Sequence, residues 1–97
     1  MRVVVSYDIV TETPSGKKRL RKIAKLCENY GVRVQFSVFE CQITPADWIV
    51  LKSQLGSLID PEQDSIRYYM LGKNWERKIG HLGVKKHFDM QKDHLIL

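Results

Sequence analysis

Cysteine is scarce in this chain: only Cys27 and Cys41 are present, with no C-x-x-C or histidine-containing spacing around either. That excludes a disulfide framework and a zinc-finger type of site, and it fits a reducing cytoplasm. Long apolar runs are missing too. None approaches the roughly 20 residues a membrane span needs, and no charged-then-apolar leader precedes the first valines, so a cytoplasmic protein without membrane contact is expected. Repeats and low-complexity stretches are absent, and 97 residues make one domain, short enough that a monomer would leave much apolar surface uncovered. Acidic side chains are the last shortage. Eleven Asp and Glu face sixteen Lys and Arg, and the imbalance is uneven: +4 over residues 1–43, −2 over 44–72 and +3 over 73–97. Basic ends around a mildly acidic middle favour a polyanionic partner over charge spread for solubility.

The order of elements follows from periodicity. Residues 2–9 alternate, with Val3, Val5, Tyr7 and Ile9 on one face and Arg2, Val4, Ser6 and Asp8 on the other, which predicts a strand. After the loop TETPSG, residues 16–30 carry Leu20, Ile23, Ala24, Cys27 and Tyr30 at helical spacing, with Gly31 as the stop. Six of the nine residues from 17 to 25 are basic: Lys17, Lys18, Arg19, Arg21, Lys22 and Lys25. Residues 32–43 are extended but change phase, so they form either one bulged strand or a hairpin near 36–38. The sequence TPAD then caps a second helix whose stripe is Trp48, Leu51, Leu55, Leu58 and Ile59. A polar turn, DPEQD, leads to the strand SIRYYML. This βαββαβ order predicts an α+β, ferredoxin-like sandwich over residues 1–72, both helices on one face and the other face bare, with 73–97 as an extension of short strands such as WERKI and KHFDM.

Asp8 is the residue that asks for an explanation. A carboxylate at the end of an apolar strand needs a basic partner such as Arg33, a set of backbone amides, plain solvent, or a metal. A phosphate held at the start of the basic helix would lie near it, and a carboxylate beside a phosphate needs a cation between them. One chain supplies one such acid, whereas a two-fold dimer through the bare faces would bring two together.

The stretches VSYDI, RLRKIAKLCENYG, RVQFSVFECQI with its S-V-F-E motif (Ser37 to Glu40) and SIRYYMLG together resemble the CRISPR-associated protein 2 family over roughly residues 1–72. The resemblance implies a homodimer in which the strand-end aspartates face each other near the two-fold axis and the C-terminal strand of each chain extends the partner's sheet. It also implies a role in CRISPR spacer acquisition with the CRISPR-associated integrase (the protein 1 family). Some members look like Mg²⁺- or Mn²⁺-dependent nucleases acting on RNA or DNA, and others serve as non-catalytic bridges that hold duplex DNA. Carried over by position, Asp8 is the catalytic and metal-binding residue, Tyr7 and Phe39 support it, and Arg19, Arg21 and Arg33 contact nucleic acid; the density of the basic arc itself, without an intervening acid, adds Lys17, Lys18, Lys22 and Lys25 as expected phosphate contacts. The loop before the first helix is longer than in many members.

Blander roles compete for several of these residues. Arg33 could pair with Glu40 or Asp8, Phe39 and Trp48 suit a core, and Glu28, Glu62 and Asp64 read as solvated. Tyr68 and Tyr69 point to opposite faces, so one is buried. His81, His87 and His94 share no ligand spacing and are expected at the surface or an interface. A purely architectural DNA-binding adaptor is the main rival reading. An RNA-recognition module lacks its paired aromatics here, and the basic arc disfavours a small-molecule regulatory domain.

Overall fold

A computed structural model describes residues 1–72 and 79–84. The chain runs through β1 (Arg2–Asp8), α1 (Pro14–Glu28), β2 (Gly31–Gln35), β3 (Val38–Gln42), α2 (Pro45–Leu58), β4 (Ser65–Leu71) and β5 (Ile79–Gly83). Its five strands form one antiparallel sheet in the order β2-β3-β1-β4-β5, so the first six elements have the expected ferredoxin-like arrangement. β1 lies at the centre. Val3 stands opposite Cys41 and Met70, and Val5 opposite Phe39 and Tyr68. These residues share a core with Tyr7, Ile9, Ile23, Cys27, Trp48, Leu51 and Leu55, which places both helices against the odd-numbered face of β1. Burial pushes the Cys27 thiol up to about 12 and the Cys41 thiol up to about 11.

Both helices begin on the same chemistry. Thr44 Oγ1 accepts the amide of Asp47 at 3.1 Å ahead of Pro45, and Thr13 Oγ1 accepts the amide of Gly16 at 3.1 Å ahead of Pro14. The first helix therefore starts two residues earlier than its apolar spacing predicts, because Thr-Pro serves as cap and first helical residue there as well. It ends at Glu28 with Asn29 as C-cap. Gly31 is not its stop; a Cβ on Gly31 would lie 2.4 Å from the Glu40 carbonyl oxygen, so the glycine permits close approach of β2 to β3.

The phase change in residues 32–43 is a hairpin. Gly31 pairs with Cys41, Arg33 with Phe39 and Gln35 with Val38, with an irregularity between Arg33 and Gln35. The Ser37 carbonyl in the turn accepts the Tyr7 amide at 3.1 Å, which ties the hairpin tip to β1. That register leaves Val32, Val34 and Phe36 exposed, Phe36 by 82%, while Val38 is buried.

One expectation about the rest of the sheet needs correction. The face away from the helices is not bare, because Val4, Val38 and Tyr69 form a second, smaller buried cluster with Leu71 packed against it. β5 pairs with β4 of its own chain, Tyr69 opposite Ile79, Tyr68 opposite Gly80 and Ser65 opposite Gly83, and the segment after Val84, expected to extend a partner's sheet, lies outside the described residues. Glycine at position 80 makes this pairing possible, since a Cβ there would lie 1.9 Å from the Tyr68 ring. Tyr68 in turn packs edge-on against Trp48, at 5.0 Å and 64°. The KHFDM stretch, most of WERKI, and His87 and His94 lie outside the described residues.

Candidate functional site

β1 delivers Asp8 to the end of the central strand, exposed and opposite Ser65 of β4. Strand alternation sets it on the face of Val4 and Ser6, away from the helices. One register step back, Ser6 stands opposite Arg67, and Arg67 opposite His81, so a guanidinium and an imidazole share this face with the carboxylate. His81 Nε2 donates to the Val84 carbonyl at 2.6 Å and lies 3.2 Å from that of Gly83, which fixes the ring. Local spacing does not pair Arg67 with His81, and only the register of three strands reveals their position. Among the described residues no three His, Cys, Asp or Glu side chains gather to hold a metal. An exposed carboxylate is a hard oxygen donor of the kind Mg²⁺ and Mn²⁺ accept, and Mg²⁺ needs as few as one or two from protein. The donor chemistry of Asp8 fits such an ion, with a second carboxylate required from elsewhere for a two-acid site.

Tyr7 and Phe39 belong to the other face. Their rings stack at 6.2 Å and 22°, and the Arg33 guanidinium lies 5.2 Å from the Phe39 ring and 6.0 Å from that of Phe36. Burial raises the Tyr7 hydroxyl pKa, and the Arg33 charge opposes that shift without cancelling it. The Arg33 carboxylate neighbour is Glu28, at 3.9 Å, not Glu40 or Asp8. Glu40 is held by Arg2, whose Nε donates at 2.9 Å and whose Nη2 meets the same oxygen.

On α1, Lys17, Lys18, Arg21, Lys22 and Lys25 are exposed as the sequence predicts. Lys22 and Lys25 border a shallow groove between the helices, shared with Asn29, Gln54 and Ser57. Because α1 covers the odd-numbered face, this arc and Asp8 occupy opposite sides of the sheet. The first turn of α1 comes close to the segment after β1, where a Cβ on Gly16 would lie 2.0 Å from the Val10 oxygen.

Arg19 departs from the arc. Its Nε donates to Asp64 Oδ2 at 2.7 Å and its Nη2 to Oδ1 at 3.4 Å, leaving the side chain 17% exposed. Asp64, read from sequence as solvated, is 0% exposed and also accepts the amides of Val10 at 3.0 Å and Asp60 at 2.8 Å. Desolvation alone would raise its carboxyl pKa, but Arg19 and the two amides outweigh it and hold the pKa below the ordinary value. The partners are 45 positions apart, so no local spacing announces them.

No helix among the described residues is long and apolar enough to cross a membrane. The profile of CRISPR associated protein Cas2 matches residues 1–79. The chain is 54% identical over 91 residues to the CRISPR-associated endoribonuclease Cas2 of Chlorobaculum tepidum, covering 94% of this chain and 95% of that one. It is 50% identical to the CRISPR-associated endonuclease Cas2 of Halalkalibacterium halodurans, again over 94% and 95% of the two chains. The crystal structure of Streptococcus pyogenes Cas2 at pH 6.5 superposes with a TM-score of 0.70 and 58% identity, covering 86% of this chain and all (100%) of that one. With strand order, helix placement and sequence in agreement over most of its length, the chain belongs to the CRISPR associated protein Cas2 family.

Proposed function

We propose that the chain acts as a homodimer in CRISPR spacer acquisition, binding nucleic-acid backbone, bridging the CRISPR-associated integrase, and cleaving phosphodiesters with a divalent metal held at Asp8. The observation that carries this reading is the exposed Asp8 carboxylate at the end of the central strand, on the face away from both helices. The names of the relatives, an endoribonuclease in one case and an endonuclease in another, support the reaction class. In a dimer joined through these faces, two Asp8 carboxylates approach each other and repel unless a cation lies between them. When bound, Mg²⁺ or Mn²⁺ supplies an activated water and neutralises charge on the phosphoryl oxygens.

The chain's own residues hold and orient. The β1–β4 pairing fixes where Asp8 projects, and Lys17, Lys18, Arg21, Lys22 and Lys25 give the backbone of a nucleic acid a cationic track. Arg33 contributes a further cation at the hairpin, steadied by the Phe39 ring. Arg19 is left out of this track because Asp64 occupies its guanidinium. Cleavage of labelled RNA and DNA with and without Mg²⁺ or Mn²⁺ tests the proposal. Asp8→Ala is expected to lower metal-dependent cleavage by about a hundredfold, in keeping with the several kcal/mol such metals supply, while binding persists; cleavage that survives the substitution would overturn the nuclease part.

One observation favours a second reading, an architectural adaptor without nuclease activity: the basic arc and Asp8 lie on opposite sides of the sheet. Under it, Asp8→Ala leaves both nucleic-acid binding and spacer uptake intact.

A further inference from the structure

We infer that Asp64, with Arg19, is a positioning residue that sets the placement of Asp8, an inference that rests on the metal reading of Asp8 given above. Asp64 reaches Asp8 along two routes. On the first, Asp64 Oδ1 accepts the amide of Val10, two residues beyond Asp8, at 3.0 Å. The carbonyl side of that residue is closed off by α1: a Cβ on Gly16 would lie 2.0 Å from the Val10 oxygen and 3.3 Å from Thr11 Cα. The segment leaving Asp8 is thus gripped by a buried carboxylate at one end of Val10 and by the first turn of a helix at the other. On the second route, Asp64 immediately precedes Ser65, which is the residue opposite Asp8 in β4.

The position of Asp64 is itself over-determined. Its amide donates to the Asp60 carbonyl at 2.8 Å, and its carbonyl accepts the Val84 amide at 2.8 Å just after β5. Its second carboxylate oxygen takes the Asp60 amide at 2.8 Å and the Arg19 Nε at 2.7 Å. One side chain therefore joins the exit of β1, the second turn of α1, the turn after α2 and the entry to β4. A buried ion pair is a poor way to gain stability over an apolar pair of similar volume, whereas fixed geometry is something such a pair supplies. Arg19, aligned with phosphate-binding residues by its place in the motif, thereby acts through Asp64 and not on the substrate.

The test uses the full chain and Mn²⁺ alone as probe, with binding followed by titration calorimetry and by paramagnetic broadening of backbone amides. In Asp64→Asn, half-saturation by Mn²⁺ is expected to rise about tenfold, the lower end of what loss of a supporting hydrogen-bond partner costs a metal site. The Asp8 and Val10 amide resonances should shift at the same time. Arg19→Lys, which keeps the charge but loses the forked geometry, should give a smaller change in the same direction, and it serves if Asp64→Asn does not fold. Ile23→Val controls for general loss of stability and should move neither readout. Folded Asp64→Asn or Arg19→Lys protein with wild-type Mn²⁺ affinity and unshifted Asp8 and Val10 amides overturns the inference. If wild type and Asp8→Ala bind Mn²⁺ alike, the metal reading fails. The positioning is then decided by the amide shifts alone, present if it holds and missing if it does not.

Discussion

The region around Asp64 and the region around Asp8 adjoin each other at one end of neighbouring strands, yet the chain equips them in opposite ways. Asp64 is fully buried and receives two backbone amides and a guanidinium. Asp8 is exposed, on a face whose next row holds Arg67 and His81. A buried carboxylate without such partners would cost several kcal/mol, so every lone pair of Asp64 is committed to the fold. An exposed carboxylate incurs no such cost and is accessible to an ion or a second subunit. The same side chain, a few ångströms of register away, is structural in one place and faces solvent in the other.

The largest test of this contrast is a pair of alanine substitutions followed by urea unfolding. Asp64→Ala removes the acceptor of the Val10 and Asp60 amides, and leaving such part-buried donors unsatisfied is expected to cost about 1–3 kcal/mol. Asp8→Ala should remain within about 0.5 kcal/mol of wild type, as for an exposed residue outside the core. Comparable losses in both would break the contrast.

A second test separates the two sides of the sheet. Replacing Lys18, Lys22 and Lys25 together by Gln should weaken nucleic-acid binding and flatten its salt dependence. The log–log slope should fall by about 0.9 for each duplex DNA phosphate that is no longer neutralised, and by about 0.7 on a single strand. Asp8→Ala should leave that slope unchanged. A joint effect would place the carboxylate and the basic arc in one binding surface.

The smallest effect sharpens the comparison through pH. The folded-state pKa of Asp64 is depressed, so the unfolded chain binds more protons in the acid range and stability there rises with pH. The contribution of Asp64 is fully present above the ordinary carboxylate value of about 3.9 and fades as pH falls below it. Unfolding free energy measured from pH 6 downward should drop more steeply for wild type than for Asp64→Asn; parallel curves would show that the pair carries no linkage.

Local chemistry made most of the fold legible. Alternation in β1, the Thr44 cap of α2 and the stripes of both helices are read from neighbours in sequence, and so is the face on which Asp8 lies, though not what surrounds it. The start of α1 was equally available in Thr13-Pro14, but TETPSG is polar enough to pass for a loop. The Arg19–Asp64 pair was not available. Arg19 sits in a run of cations and Asp64 in a polar turn, and each has a bland local reading until the sheet brings them together. The same holds for Arg67 and His81, which meet Ser6 only through two separate strand pairings. Interactions that need two or three registers at once leave no mark on composition or spacing.

The two thiols of the core carry a consequence of their own. With Cys27 pushed up to about 12 and Cys41 to about 11, the fraction of reactive thiolate at neutral pH is on the order of 10⁻⁴ or less, against a few per cent for an open thiol. With both thiols fully buried, alkylation of the native protein is expected to require that α1 and the hairpin beneath it part. The chain thus carries two native reporters of any such opening, Cys27 on the helix and Cys41 on the hairpin.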